Sequence, residues 1–206
     1  MANYVFNIAK SLMMKGHINL TDADFDGSTI TAGSDDTHNS LVSAGAEFRL
    51  LLILSGSSLT TAGETNESSL DAIDCAHLDN VSDLDECTAT NYTPFSAGTG
   101  EPDGILAKGN LAVTLVDTGD GVSYAMWDYT ANPTFENIGA GQTIEGLLIV
   151  WSKATPTSAG TPGEQPGNGT SQIPLVWIDI SSNPIVTNGG DIEIVFASDG
   201  ICRLNA

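Results

Sequence analysis

Positive charge is the scarcest property of this 206-residue chain: 6 Lys and Arg stand against 26 Asp and Glu, a formal net charge of −20. So acidic a surface repels polyanions, which excludes nucleic acid and anionic membrane as partners. Cysteine is scarce too. Cys75, Cys87 and Cys202 lack metal-site spacing, and an odd set reads as free thiols, with a Cys75–Cys87 disulfide as the alternative. His17, His38 and His77 are scattered and read as surface residues. No apolar run approaches the roughly 18 residues needed to cross a bilayer. The N-terminus has no charged region followed by a continuous apolar stretch, so no secretory signal is expected, and synthesis and folding in a cytoplasm are. Also missing are G-x-S-x-G, Walker A, the dinucleotide-binding glycine pattern and H-E-x-x-H. Paired carboxylates can cleave glycosides, but so many acids single out no pair. The expectation is a protein that is not an enzyme.

What is present is apolar mass in short blocks. Hydrophobic residues make up 41% of the chain, enough for a core and against wholesale disorder. Two blocks, LLIVW (147–151) and IPLVWIDI (173–180), are rich in Ile, Val, Leu and Trp and as long as one strand each. Such runs read as buried strands. The Pro-, Gly-, Ser- and Thr-rich segment 154–171 between them reads as a long loop. EFRLLLILSG (47–56) is a third buried run. NLAVTLVD (110–117) alternates, placing Leu111, Val113 and Leu115 on one face, and TGDG (118–121) turns it into VSYAMWDYT (122–130) as a hairpin. DIEIVFAS (191–198) and ICRL (201–204) read as closing strands.

Around this β portion lie two segments of different character. Residues 4–15, YVFNIAKSLMMK, carry Phe6, Ala9, Leu12 and Met13 at helical spacing, and Gly16 is a plausible C-cap. Residues 1–16 hold Lys10 and Lys15 and no acid, while residues 17–206 hold 26 acids against four bases, or −22. Residues 57–109 are an acidic excursion. Its Asp71, Asp74, Asp79, Asp83, Asp85 and Glu86 read as a solvated face rather than a catalytic cluster. Asp22, Asp24, Asp26 and Gly27 spell the opening of a calcium-binding loop, D-x-D-x-D-G, in which alternate carboxylates converge on a hard cation. Position twelve of that loop is Gly33 rather than Glu, and an Asp-rich turn between strands is the alternative. The fold expected is all-β: an antiparallel β-sandwich, jelly-roll or immunoglobulin-like. It comprises an N-terminal arm or helix (1–16) and a single domain (17–206) with the excursion at 57–109.

The order of these blocks resembles a family of small virion structural proteins of tailed bacteriophages. MANYVFNIAKSLMMKGHINL is similar to that family's opening, a short amphipathic helix followed by Gly and a strand. RLLLILSG, TNYTPFSAG, LAVTLVDTGDGVSYAMWDYT, TIEGLLIVW, IPLVWID and the closing NGGDIEIVFASDGICRL follow in the family's order. The excursion at 57–109 and the loop at 154–171 depart from it. The resemblance implies a capsid decoration (cement) protein or a tail-associated part. In the first reading the protein sits on the outer surface of the expanded capsid and binds the major capsid protein. It also binds itself, as a trimer in preference to a dimer, and needs no cofactor beyond the calcium just considered. The basic, apolar N-terminal segment is then the docking handle, with Phe6, Lys10, Leu12, Met13 and Lys15 as its candidates. The rival reading is a tail or fibre module binding host glycan on Trp127, Trp151 and Trp177, although each Trp sits in an apolar strand pattern that suits a core.

Overall fold

Three antiparallel sheets make up nearly all the regular structure among the described residues. The computed structural model describes residues 4–5, 9–10, 47–56, 85–93, 104–106, 110–117, 123–152, 172–197 and 200–205. Among them are eleven strands: β1 (Tyr4–Val5), β2 (Glu47–Leu54), β3 (Ile105–Leu106), β4 (Leu111–Asp117), β5 (Ser123–Tyr129), β6 (Thr134–Phe135), β7 (Thr143–Ser152), β8 (Gln172–Asp179), β9 (Ile185–Val186), β10 (Ile192–Glu193) and β11 (Cys202–Asn205). The six-stranded sheet runs β1-β8-β7-β2-β3, with β9 paired to the start of β7. A three-stranded sheet runs β11-β5-β4, and β10 pairs with β6.

β7 is the axis of the larger sheet. It pairs with β2 from Glu47↔Ser152 to Leu54↔Ile144 and with β8 from Gly146↔Asp179 to Ser152↔Gln172. Its Leu147, Leu148, Ile149, Val150 and Trp151 are all buried, as are Phe48 through Ile53 of β2 and Leu175, Val176 and Trp177 of β8. Consecutive positions of a strand point to opposite faces, so these strands are covered on both sides, which is why they read as unbroken apolar runs. On one face the Phe48 ring meets the Trp127 ring of β5 edge-on, with centroids 5.5 Å apart. The six-stranded and three-stranded sheets therefore meet through the core.

Local irregularities fit the residues that carry them. The register of β7 on β8 shifts between Ile149 and Val150, whose partners are Val176 and Pro174. Proline cannot donate to a ladder and belongs at such a bulge. Gly146 lies beneath the indole of Trp177, and a Cβ there would overlap the ring. Gly104 has φ of +82° and passes its carbonyl to the Leu50 amide at 2.8 Å. Any side chain there would strike the Leu50 carbonyl.

Several expectations are corrected. Tyr4 and Val5 do not open a helix; they pair antiparallel with Trp177 and Val176. Both are good strand formers, and they supply β8 with its outer ladder. Ala9 and Lys10 are helical, and the remainder of 4–15 lies outside the described residues. The excursion at 57–109 is not wholly separate from the sheet. Glu86 bridges Ile53, Leu54 N donates to Asp85 O and Cys87 N to Leu52 O, both at 2.8 Å, and β3 pairs with β2 at Phe48 and Arg49. Within the stretches read as turns, β6 and β9 form short ladders. Of the closing strand expected at 191–198, Ile192 and Glu193 alone among the described residues 191–197 are in a strand.

Candidate functional site

The N-terminal candidates meet the structure at two points. Val5 packs against the core and Ala9 is fully buried within it. Lys10 is half-buried and engaged in an interaction within the chain. This part of the segment belongs to its own domain. Phe6, Leu12, Met13 and Lys15 lie outside the described residues, as do Asp22, Asp24 and Asp26. Among the described residues no group of three or more His, Cys, Asp or Glu is placed to hold a metal ion.

Among the described residues a polar arrangement joins segments 85–93, 136–142 and 187–191 at one end of the large sheet. Glu86 is buried, contrary to its reading as part of a solvated face. Its Oε1 accepts the Tyr92 hydroxyl at 2.7 Å, and the Tyr92 hydroxyl oxygen in turn accepts the Leu52 amide at 3.3 Å. Burial, then the neighbouring Glu86 charge, hold the Tyr92 phenol well above its ordinary range. Next to it, Gln142 acts as a clamp. Its Oε1 accepts the Cys87 thiol at 3.1 Å and the Thr88 amide at 3.0 Å, and its Nε2 donates to Thr88 Oγ1 at 2.9 Å. Its backbone exchanges hydrogen bonds with Thr187, receiving the Thr187 amide and donating to Thr187 Oγ1, both at 2.9 Å. Asn91 and Asn137 both take positive φ, at 67° and 52°, which asparagine tolerates better than most residues. Asn91 Nδ2 donates to Asn137 O at 3.0 Å, and Asp191 Oδ1 accepts the Asn137 amide at 2.8 Å.

Chemically this is a joint. The polar groups satisfy one another and lock loops to the sheet, and buried polar groups so paired specify one arrangement. The Cys87 thiol is free, buried and raised in pKa, chiefly by desolvation, so it stays neutral and is a poor nucleophile. Cys202 is also free, its pKa pushed up to about 11 by burial. The free-thiol reading of Cys87 holds over a bridge to Cys75. Sequence reasoning missed this joint because Glu86 sits among many acids and Gln142 in a glycine-rich turn; neither carries a local sign of burial.

Two surfaces remain. Trp127, Trp151 and Trp177 are all buried, so none offers a face for sugar stacking. The exposed large apolar residues include Val113 at 49% and Leu115 at 85% on β4, Val186 on β9, Ile105 on β3 and Val195. No helix among the described residues is long and apolar enough to cross a membrane. No family model, no curated protein and no solved structure matches this chain.

Proposed function

We propose that this protein is a structural component of a tailed-bacteriophage virion, a decoration protein bound to the outer surface of the expanded capsid. The observation that carries the reading is the order of strand motifs from MANYVFNIAK to GICRL, which resembles that family along nearly the whole chain. The charge of −20 supports it, because an acidic body stays clear of packaged nucleic acid and remains soluble at high copy number. Buried apolar rings linking Phe48 to Trp127 suit a rigid scaffold, and we read the two larger sheets as the layers of an antiparallel sandwich of jelly-roll or immunoglobulin-like type.

A decoration protein works by adding contacts across seams between subunits of the major capsid protein. Apolar area buried at about 25 cal/mol per Å², repeated around the shell, opposes the pressure of packed DNA. The basic N-terminal segment is the docking handle of this proposal. Since Val5 and Ala9 are anchored in the domain's core and Lys10 is engaged within the chain, Phe6, Leu12, Met13 and Lys15 are left as the contacts to the capsid. The protein is made in the host cytoplasm and works on the virion without catalysis.

The test is co-sedimentation of the purified protein with expanded capsids that lack it, with bound copies counted on a quantitative gel. Saturation at hundreds of copies per particle is expected for a shell-wide lattice. A dozen or fewer would move the protein to the tail, and no binding would end the reading. A Leu12→Asp, Met13→Asp double variant should then lose capsid binding while keeping its thermal unfolding transition. The glycan-binding alternative has lost its proposed platform, since all three Trp rings are in the core.

A further inference from the structure

The geometry points to β4 as a self-association edge: two copies of this chain pair antiparallel through β4 about a two-fold axis at Val113. This holds independently of where the protein works. Among the described residues β4 ends its sheet, with β5 on one side. Thr130 N donates to Asn110 O at 2.8 Å, and the register runs from Leu111↔Tyr129 to Asp117↔Ser123. Antiparallel ladders alternate hydrogen-bonded and non-hydrogen-bonded pairs. Asn110, Ala112 and Thr114 therefore bond to β5, and the amides and carbonyls of Leu111, Val113 and Leu115 are directed to the other side, where the described residues place no further strand. An open edge of this length is a template for another strand unless charge or proline blocks it. β4 has no proline, and its one charged residue, Asp117, lies at its very end; residues 109–116, which surround Val113, carry no charged side chain.

The occupant follows from charge and from register. Two bodies of −20 repel, so they approach best along a strip without charge. In the two-fold register Val113 faces Val113, and Leu111 faces Leu115. These are the residues whose backbone groups are open, so each outward amide meets an outward carbonyl. Residues directly opposite share a face. Leu115, 85% exposed, then comes to rest beside the partner's Leu111 position, where that side chain is 8% exposed at the margin of the core. The strand is complementary to itself: the end of its apolar face that is covered meets the end that is not. Such a contact is isologous and closes as a dimer, in contrast to the trimer expected from the resemblance.

Analytical ultracentrifugation of the full chain tests this, with three variants. Wild type should form a concentration-dependent dimer that tightens with added salt, because screening relieves the mutual repulsion. Leu115→Lys should raise the dissociation constant by about tenfold or more, the scale of losing one buried leucine from an interface. Val113→Cys should give a disulfide dimer under mild oxidation, since hydrogen-bonded partners lie about 5.5 Å apart at Cα. Thr114→Cys, whose two-fold mate is offset along the strand, should cross-link far less. A wild type that stays monomeric to about 100 µM, a Leu115→Lys variant that associates like wild type, or cross-linking equal at 113 and 114 would overturn the pairing.

Discussion

β7 and β4 are both antiparallel strands rich in Leu and Val, and they meet opposite fates. β7 lies between β2 and β8, and its residues Leu147 to Trp151 are buried on both faces. β4 has β5 on one side, and its apolar face leaves the core along its length, from buried Leu111 through half-exposed Val113 to exposed Leu115. The difference is a matter of neighbours rather than composition. A central strand is covered by whatever packs on either face of its sheet. An edge strand that outruns the opposing layer keeps its pattern without the burial. Burial is therefore concentrated around β7, and the self-association proposed above falls on β4.

The largest effect expected is at the contact between the sheets. Trp127→Ala removes the ring that meets Phe48 and should cost about 3–5 kcal/mol in urea unfolding. A much smaller loss would mean that the two sheets are not joined through this contact. Gly146→Ala comes next. The added methyl must displace the Trp177 indole, and overpacking of this kind costs about 1–3 kcal/mol. A concurrent red shift in tryptophan emission would show that this ring has moved toward water.

Tyr92→Phe tests the polar joint. It leaves Glu86 and the Leu52 amide each short of one hydrogen bond while keeping the ring, for a loss of about 1–3 kcal/mol near neutral pH. The pH dependence has a definite sign. Tyr92 ionises near 10 when unfolded and well above that when folded, so its share of stability is full below pH 10 and is lost as pH rises beyond it. Cys202 moves from 9.0 to about 11, so its share is lost between those values. Urea midpoints at pH 8 and pH 10.5 should thus fall for wild type, and fall less for Tyr92→Phe. The smallest change expected is at the edge: Leu115→Lys should alter monomer stability by no more than about 0.5 kcal/mol. A large destabilisation there would mean that β4 is part of the core after all and would erase the contrast with β7.

The strands at 47–54, 143–152 and 172–179 were legible because burial on both faces leaves an unbroken apolar run that nothing else in the chain imitates. The 110–130 hairpin was legible through alternation and a turn signal: β4 pairs antiparallel with β5, while the turn residues 118–121 lie outside the described residues. The start of the N-terminal segment was misread, because the helical spacing of Phe6, Ala9, Leu12 and Met13 was extended back to Tyr4 and Val5, whose strand propensity is met by pairing with β8. Glu86 was misread for a related reason: a carboxylate that will be buried carries no local mark in an acidic stretch, and Tyr92 is a partner the sequence does not announce. Of the docking and calcium candidates proposed from sequence, Lys10 alone lies among the described residues, and it is already engaged within the chain.

What the amino-acid sequence determined by itself is the class of the protein: acidic, all-β, built on three apolar runs that must lie inside because exposing them to water costs more than any surface contact returns. Which strands neighbour which, and hence which carry both faces in the core and which leave one in solvent, belongs to the tertiary structure alone. Leu111, Val113 and Leu115 form one pattern in the sequence and three different environments in the fold. Burial depends on the far side of the core, and no local spacing of residues encodes where that far side ends.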